Sequence, residues 1–140
     1  MHSILYLTDM TDNSLSRART LGVLGSKPVV RRDLVGPSDR TDFYKFSLKR
    51  SSSVNLQLSN LQANADLLLL NRAGKAIARS RKGGTQAEQI TRQLQSGTYY
   101  VQVLGRGSKN TRYKLVGSTT AGGGGGGGNG TRSNPFDLGL

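Results

Sequence analysis

The sequence predicts an all-β fold, an antiparallel sandwich or barrel of about eight short strands. Short apolar segments recur at roughly 8–12-residue spacing, which is typical of such sheets. The segments between them are rich in glycine, serine and asparagine, the residues that tight turns require. No long amphipathic helix lies between the segments, although a parallel sheet would need helical crossovers. Together these observations favour strands joined by turns.

The central element is a predicted β-hairpin. Leu67–Leu70 is an uninterrupted apolar run, too short for an independent helix. Asn71–Gly74 is a predicted turn, because asparagine tolerates left-handed geometry and glycine adopts positive φ without steric cost. Lys75–Ser80 is then the return strand. Four consecutive leucines leave no polar face, so this strand is predicted to be covered on both faces or to lie at the centre of a sheet.

The other strands follow from alternation and from β-branched or aromatic composition. They are predicted at Leu21–Leu24, Val29–Val35, Asp42–Leu48, Val54–Ser59, Ala87–Leu94, Thr98–Leu104 and Thr111–Val116. Ala87–Leu94 also fits a helix, since Ile90 and Leu94 are four residues apart, but Ile90 and Thr91 are β-branched and favour a strand. A short capped turn or helix is predicted at Ser14–Arg19.

Three regions are predicted along the 140 residues. Residues 1–11 form a poorly ordered leader, residues 12–118 the β-sandwich, and residues 119–140 a polyglycine linker with a disordered tail. No segment approaches the roughly 20 apolar residues of a membrane-spanning helix. The N-terminus lacks the cationic start and long apolar core of a secretory signal peptide, so none is predicted.

The charge of the chain predicts attraction to polyanions. The formal net charge is +12, and all lysines and arginines except Arg132 lie between Arg17 and Lys114. Nucleic acid, acidic polysaccharide and anionic lipid surfaces are all compatible with this charge. The alternative is that the charge only keeps a small domain soluble.

Six basic residues are predicted to contact an anionic ligand, because they lie at outward positions of strands or in the densest basic segment, Arg79–Lys82. They are Lys45, Arg79, Arg81, Lys82, Arg112 and Lys114. Binding of single-stranded nucleic acid would also need exposed aromatic side chains, for which Phe43 and Tyr100 are the candidates. Burial of both aromatic residues is the alternative.

The sequence contains few residues and motifs that are typical of a catalytic site. There is no cysteine, the only histidine is His2, and neither a phosphate-binding glycine motif nor a zinc signature is present. We therefore predict no catalytic residues and no enzymatic activity.

Carboxylate and amide oxygens suggest one metal site. Asp39 and Asp42, with Asn13 approaching from the leader, are predicted to bind calcium, which prefers oxygen ligands. Alternatively, Asp39 caps a turn and Asp42 pairs with a nearby basic residue. Asp66 is predicted to be a structural anchor whose carboxylate accepts backbone N–H bonds before the leucine run.

The order and spacing of several segments resemble the bacterial pre-peptidase C-terminal domain over roughly residues 12–118. The matching segments are Asp12–Leu15, Ala18–Gly22, Asp42–Leu48, Leu61–Gly74, Leu94–Val103 and Thr111–Leu115. Asp42 and Asp66 stand where that family carries its strand-entry and pre-strand aspartates. The resemblance implies a compact jelly-roll-like β-sandwich. It also implies a non-catalytic module of the kind appended to secreted proteases and other exported bacterial proteins, where such domains aid secretion, localisation or substrate binding. Related domains in clostridial collagenases bind collagen with calcium.

These observations lead to one main functional hypothesis and two alternatives. The main hypothesis is a monomeric, non-catalytic binding or localisation module that contacts an anionic polysaccharide or another cell-surface polymer. The family resemblance implies an extracellular or cell-surface location. The alternatives are a basic nucleic-acid-binding protein and an accessory domain separated from a secreted protease.

Overall fold

Nine β-strands form two sheets packed face to face in a computed structural model that describes residues 14–120. The strands are β1 (Arg19–Val23), β2 (Val29–Val35), β3 (Thr41–Leu48), β4 (Ser52–Ser59), β5 (Ala65–Leu70), β6 (Ala76–Ser80), β7 (Glu88–Leu94), β8 (Gly97–Gly105) and β9 (Thr111–Thr120). The all-β sandwich predicted from the sequence is confirmed, and its nine strands overlap the nine segments predicted individually, although the overall estimate was about eight. The predicted leader, Asn13 and most of the predicted tail lie outside the described residues.

The strand order places distant parts of the chain side by side. Sheet A has the order β1-β3-β8-β5-β6, and sheet B has the order β2-β9-β4-β7. Every neighbouring pair is antiparallel except β1 and β3, which run parallel. Their register shifts between Thr20 and Gly22, where Gly22 has a φ of 80°. This parallel edge strand is the one departure from the predicted antiparallel pairing within residues 14–120.

The core lies between the sheets and follows the predicted alternation. From β3, Tyr44 and Phe46 point inward, and from β4, Val54, Leu56 and Leu58 meet them. All five side chains are almost completely buried, which removes most of their apolar surface from water. Phe46 also stacks on Tyr99 of β8, with ring centroids 5.6 Å apart.

The leucine run forms β5, an interior strand of sheet A between β8 and β6. Leu67 and Leu69 point into the core, so Leu68 and Leu70 point to the outer face of the sheet. Leu68 is half-buried and Leu70 is only 3% exposed, so the outer face is also covered at this point. The prediction of an interior strand is confirmed.

A turn between β5 and β6 closes the predicted hairpin. Gly74 N donates to Asn71 O over 2.9 Å, and Asn71 Oδ1 accepts hydrogen bonds from the backbone N–H groups of Ala73 and Lys75. Gly74 has a φ of 85°, a conformation that favours glycine. The glycine therefore has the turn role that the sequence predicts, whereas Asn71 does not adopt the left-handed geometry and contributes through its side-chain oxygen instead.

The segment that also fitted a helix is strand β7, paired with β4 along its whole length. Glu88, Ile90 and Leu94 point inward from it and are buried. The preference for a strand is confirmed. Within residues 14–120 the structure has no helix long and apolar enough to cross a membrane.

Candidate functional site

The two signs of charge are segregated between the surface and the interior of the sandwich. All five acidic residues between positions 14 and 120 are buried or half-buried, whereas sixteen of the nineteen basic residues there are exposed. The acids are Asp33, Asp39, Asp42, Asp66 and Glu88. The surface of the described part of the chain is therefore cationic, because no carboxylate is exposed on it to offset the lysines and arginines.

The six predicted anion-binding residues fall into three separate places. Lys45 and Arg79 lie on the outer face of sheet A, Arg81 and Lys82 lie in the connection between β6 and β7, and Arg112 and Lys114 lie on the outer face of sheet B. The first and third pairs are on opposite faces of the sandwich. The six residues do not form one continuous site.

A buried carboxylate holds the connection that carries Arg81 and Lys82. Glu88 is 0% exposed, and its Oε1 atom accepts hydrogen bonds from Ser80 Oγ at 2.5 Å and Lys82 N at 3.0 Å. Ser80 Oγ in turn accepts a hydrogen bond from Gln89 N at 3.2 Å. Glu88 thus fixes the path of the chain between β6 and β7.

Sequence reasoning missed a basic residue on the outer face of sheet B. Arg32 of β2 pairs directly with Lys114 of β9, and the next outward pair joins Leu34 to Arg112. Arg32, Arg112 and Lys114 form what we call the basic corner. Arg32 and Arg112 are exposed, and Lys114 is half-buried. The alternation of β2 gives the outward direction of Arg32, but its approach to β9 depends on a pairing between distant parts of the chain.

A surface cleft of about 350 Å³ adjoins the basic corner. Its lining includes Arg32 and Arg112, together with Asn60 and Gln62 from the connection between β4 and β5. The cleft also reaches Tyr113, which is otherwise buried. Two guanidinium groups and two amides therefore surround one concave space, a set rich in hydrogen-bond donors.

The connection beside the cleft is held against β9 by side-chain hydrogen bonds. Gln62 N donates to Thr111 Oγ1 at 2.8 Å, and Arg112 N donates to Gln62 Oε1 at 2.9 Å. Gln62 Nε2 donates to Asn60 O at 2.7 Å. Asn60 has a φ of 63° and is the one non-glycine residue with positive φ in the described part of the chain. The sequence carries no clear signal for this loop, because its geometry depends on β9.

A chain of hydrogen bonds crosses the interior between the sheets, close to the cleft. Arg19 Nη2 donates to Tyr44 OH at 2.8 Å, Tyr44 OH lies 2.6 Å from Tyr113 OH, and Tyr113 OH donates to Asp42 Oδ2 at 2.5 Å. The single proton of Tyr113 is engaged by Asp42, so Tyr44 must be the donor to Tyr113. All four groups are thereby ordered in one direction, from the guanidinium to the carboxylate.

Burial dominates the acid–base properties of the two tyrosines. It raises the pKa of Tyr44, although the hydrogen bond with Tyr113 and the charge of Arg19 partly offset this. Burial also raises the pKa of Tyr113, and the negative charge of Asp42 adds to the effect. Both phenols therefore stay protonated at neutral pH and serve as hydrogen-bond donors.

The two predicted calcium ligands within the described residues have different surroundings. Asp42 is 1% exposed, accepts the hydrogen bond from Tyr113, and has its Oδ2 atom 3.9 Å from Arg19 Nη2. Asp39 lies in a turn closed by paired backbone hydrogen bonds with Gly36. Residues 14–120 contain no group of three or more acidic or histidine side chains that could hold a metal ion. Calcium binding therefore stays a prediction.

Asp66 is buried at the start of β5, where it was predicted to be an anchor. Its Oδ2 atom lies 3.2 Å from Arg106 Nε, and Arg106 N donates to Asn64 O at 2.9 Å. Burial raises the pKa of Asp66, with a further contribution from Glu88, whereas the charge of Arg106 lowers it. The pair joins the beginning of β5 to the loop that follows β8.

Comparison with known proteins agrees with this architecture. Residues 40–105 match the model of a family described as the bacterial pre-peptidase C-terminal domain. No curated protein matches the sequence significantly.

Solved structures with a similar fold include the following three. The pre-peptidase C-terminal domain of a collagenase from Bacillus anthracis aligns with a TM-score of 0.60 and 18% identity, over 71% of this chain and 93% of that one. The Yersinia pseudotuberculosis-derived mitogen aligns with a TM-score of 0.51 and 13% identity, over 68% of this chain and 87% of that one. PliG of Salmonella Typhimurium, a periplasmic inhibitor of g-type lysozyme, aligns with a TM-score of 0.51 and 17% identity, over 74% of this chain and 99% of that one. At these identities the likeness concerns the fold. The resemblance to the bacterial pre-peptidase C-terminal domain is confirmed, by the family match over residues 40–105 and by the structural match to the collagenase domain.

Proposed function

We propose that this chain is a non-catalytic binding module of the pre-peptidase C-terminal type that contacts an anionic polymer outside the cell. The observation that carries the proposal is the segregation of charge. Sixteen basic residues are exposed between positions 14 and 120, and none of the acids there is exposed. A surface of one sign attracts polymers of the opposite sign and speeds their association.

The positions of the acids make this charge distribution informative. Asp33 and Asp42 belong to the hydrogen-bonded interior, Glu88 holds a connection, and Asp66 pairs with Arg106. Each of these carboxylates has a structural contact, whereas most of the basic residues contribute to the surface alone. Solubility requires net charge, but it does not require that acidic residues be kept away from the surface.

The family match supports a role without catalysis and a location outside the cell. Pre-peptidase C-terminal domains are accessory domains of exported bacterial proteins, and residues 40–105 match their model. A domain that normally works beside a protease is equally compatible with that match. Calcium binding at Asp39 and Asp42 remains a prediction.

The same charge supports a second function, binding of nucleic acid. The predicted stacking residues, Phe43 and Tyr100, are both half-buried on the outer face of sheet A. Such partial exposure offers little ring surface to a base, and aromatic stacking contributes much of the affinity for single strands. We therefore rank nucleic acid second.

A binding series with the full chain tests the proposal. The probes are polygalacturonate, heparin, single-stranded DNA and double-stranded DNA, with neutral dextran as the control, and binding is followed by isothermal titration calorimetry. We expect binding to an acidic polysaccharide that weakens steeply between about 50 mM and 200 mM salt, with none to dextran. Absence of binding to every polyanion at low salt would overturn the proposed function. Tighter binding to DNA than to either polysaccharide would favour the second function.

A further inference from the structure

We infer that the anionic polymer docks on the outer face of sheet B, at the basic corner and its cleft, and that it is an acidic polysaccharide. This inference rests on the proposed function and specifies its site and ligand class. The sequence pointed instead to the segment Arg79–Lys82 as the densest basic cluster.

The basic corner places like charges next to each other. Arg32 and Lys114 are directly opposite in the antiparallel register, and Arg112 is two residues from Lys114 on the same face. Side chains at opposite positions have Cβ atoms about 4.5–5.5 Å apart, and like charges at that spacing are unfavourable. The outward positions of β2, β9, β4 and β7 contain no acidic residue that would offset them. An anionic ligand would relieve the repulsion.

The cleft gives the anion a preformed place to bind. Arg32 and Arg112 both line it, and guanidinium groups bind carboxylates and sulfates through paired hydrogen bonds. The amide of Gln62 is already fixed by its hydrogen bonds to Asn60 and Arg112, so the rim needs little ordering when a ligand binds.

Asp33 is the acidic residue in the lining of the cleft, and both of its carboxylate oxygens are engaged. Oδ2 accepts a hydrogen bond from Arg19 at 2.5 Å, and Oδ1 accepts one from Leu34 N at 2.8 Å. Its charge is therefore paired with a guanidinium on the interior side of β2. The guanidinium groups of Arg32 and Arg112 line the cleft and would bind an anionic ligand there.

The rest of the face explains why the ligand is a polysaccharide. Beyond the basic corner, the outer face carries amides and hydroxyls, including Asn55, Gln57, Gln89 and Thr91. Gln89 Nε2 and Thr91 Oγ1 both donate to Asn55 Oδ1 at 3.2 Å. An acidic polysaccharide carries both acidic groups and many hydroxyls. Its acidic groups would bind the basic corner, and its hydroxyls would form hydrogen bonds with the amides and hydroxyls on the rest of the face. The outward positions of these four strands hold no aromatic side chain for base stacking, which disfavours single-stranded nucleic acid.

The other basic cluster is less suited to this role because its members do not share one face: Arg79 lies on the outer face of sheet A, whereas Arg81 and Lys82 lie in the connection between β6 and β7. The positive charge of Arg81 acts on the carboxylate of Asp66, and Lys82 is joined through its backbone to the carboxylate of Glu88. This difference makes the two clusters a matched pair for an experiment.

Two triple variants of equal charge test the inference in the full chain. One is Arg32→Gln, Arg112→Gln and Lys114→Gln, and the other is Arg79→Gln, Arg81→Gln and Lys82→Gln. Each removes three positive charges, so any effect of net charge alone is the same in both. Affinities for polygalacturonate and heparin are measured at one fixed salt concentration, and urea midpoints establish that both variants are folded. If the first variant does not fold, the exposed single variant Arg32→Gln is compared with Arg79→Gln.

We expect the basic-corner variant to lose about tenfold in affinity and the other variant about twofold or less. Polygalacturonate carries carboxylates and heparin mainly sulfates, so the tighter of the two identifies the acidic group. Equal losses in both variants would overturn the site and leave the proposed function standing. Equal or tighter binding of single-stranded DNA by the wild-type chain would overturn the ligand class. Failure of the wild-type chain to bind any polyanion would overturn the proposed function itself.

Discussion

Replacement of Tyr113 by phenylalanine should destabilise the protein through the polar chain that crosses its interior. The hydroxyl of Tyr113 donates to Asp42 Oδ2 at 2.5 Å and accepts from Tyr44 OH at 2.6 Å. The substitution keeps the ring and removes both hydrogen bonds. It leaves the nearly inaccessible carboxylate of Asp42 without one of its donors.

The size of the effect follows from the two bonds. A hydrogen bond to a charged group contributes about 1.5–3 kcal/mol and a neutral one about 0.5–1.5 kcal/mol. The expected loss in the free energy of unfolding is therefore about 2–4.5 kcal/mol. Tyr99→Phe is the control, since Tyr99 OH donates to the exposed carbonyl of Gln95 and should cost less than about 1 kcal/mol.

Urea denaturation followed by circular dichroism gives both free energies of unfolding. A double-mutant cycle with Asp42→Asn separates the Tyr113–Asp42 interaction from the rest, and we expect a coupling energy of about 1 kcal/mol or more. If Tyr113→Phe costs no more than Tyr99→Phe, the polar chain does not stabilise the fold and our reasoning about it is wrong.

Three further predictions concern the other carboxylates. Because burial raises the pKa of Asp66, folding favours its protonated form, so the stability that Asp66 contributes is present at acid pH and is lost as pH rises through the folded pKa. The difference in unfolding free energy between Asp66→Asn and wild type should therefore shift in favour of the variant between pH 3 and pH 7, and a constant difference would contradict this. Glu88→Ala should lower the free energy of unfolding by about 2–4 kcal/mol in urea, because Ser80 and Lys82 lose a charged acceptor, whereas Glu88→Gln, which keeps an accepting oxygen, should cost less than half as much. If Asp39 and Asp42 bind calcium, added calcium should raise the Tm and a chelator should lower it, with Asp39→Asn as the variant that abolishes the shift; an unchanged Tm removes the calcium prediction.

The periodicity of apolar residues was sufficient to predict most of the strands from the sequence. The alternation of Tyr44, Phe46 and Leu48 identified β3, because inward residues of a half-buried strand recur every two positions. The continuous apolar run Leu67–Leu70 identified β5, because such a short run is typical of a strand buried on both faces. The parallel pairing of β1 with β3 was not predictable in this way. It depends on which edge of sheet A remains open, and no local pattern in Arg19–Val23 encodes that.

The candidate site was predictable only in part. Arg112 and Lys114 stood out as outward basic residues, and the structure places both at the basic corner. Arg32 was missed because its relation to them arises from the pairing of β2 with β9. In the sequence, Arg79–Lys82 stood out as the densest basic cluster, and nothing there distinguishes one outer face of a sandwich from the other. Charge composition indicates the class of partner, but strand order decides which cations are neighbours.

The pairing of β2 with β9 also has a consequence for the way the protein is made. Residues paired in these two strands are roughly eighty positions apart, and β9 is the only neighbour of β2 in sheet B. During synthesis, β2 must therefore wait for nearly the whole domain to emerge before it can pair, with the apolar side chains of Val29 and Val35 still uncovered. Contacts of such long sequence separation slow folding and expose intermediates to aggregation. A ribosome-bound chain truncated before Thr111 would hold the strands of sheet A, while sheet B would lack the strand that joins β2 to β4.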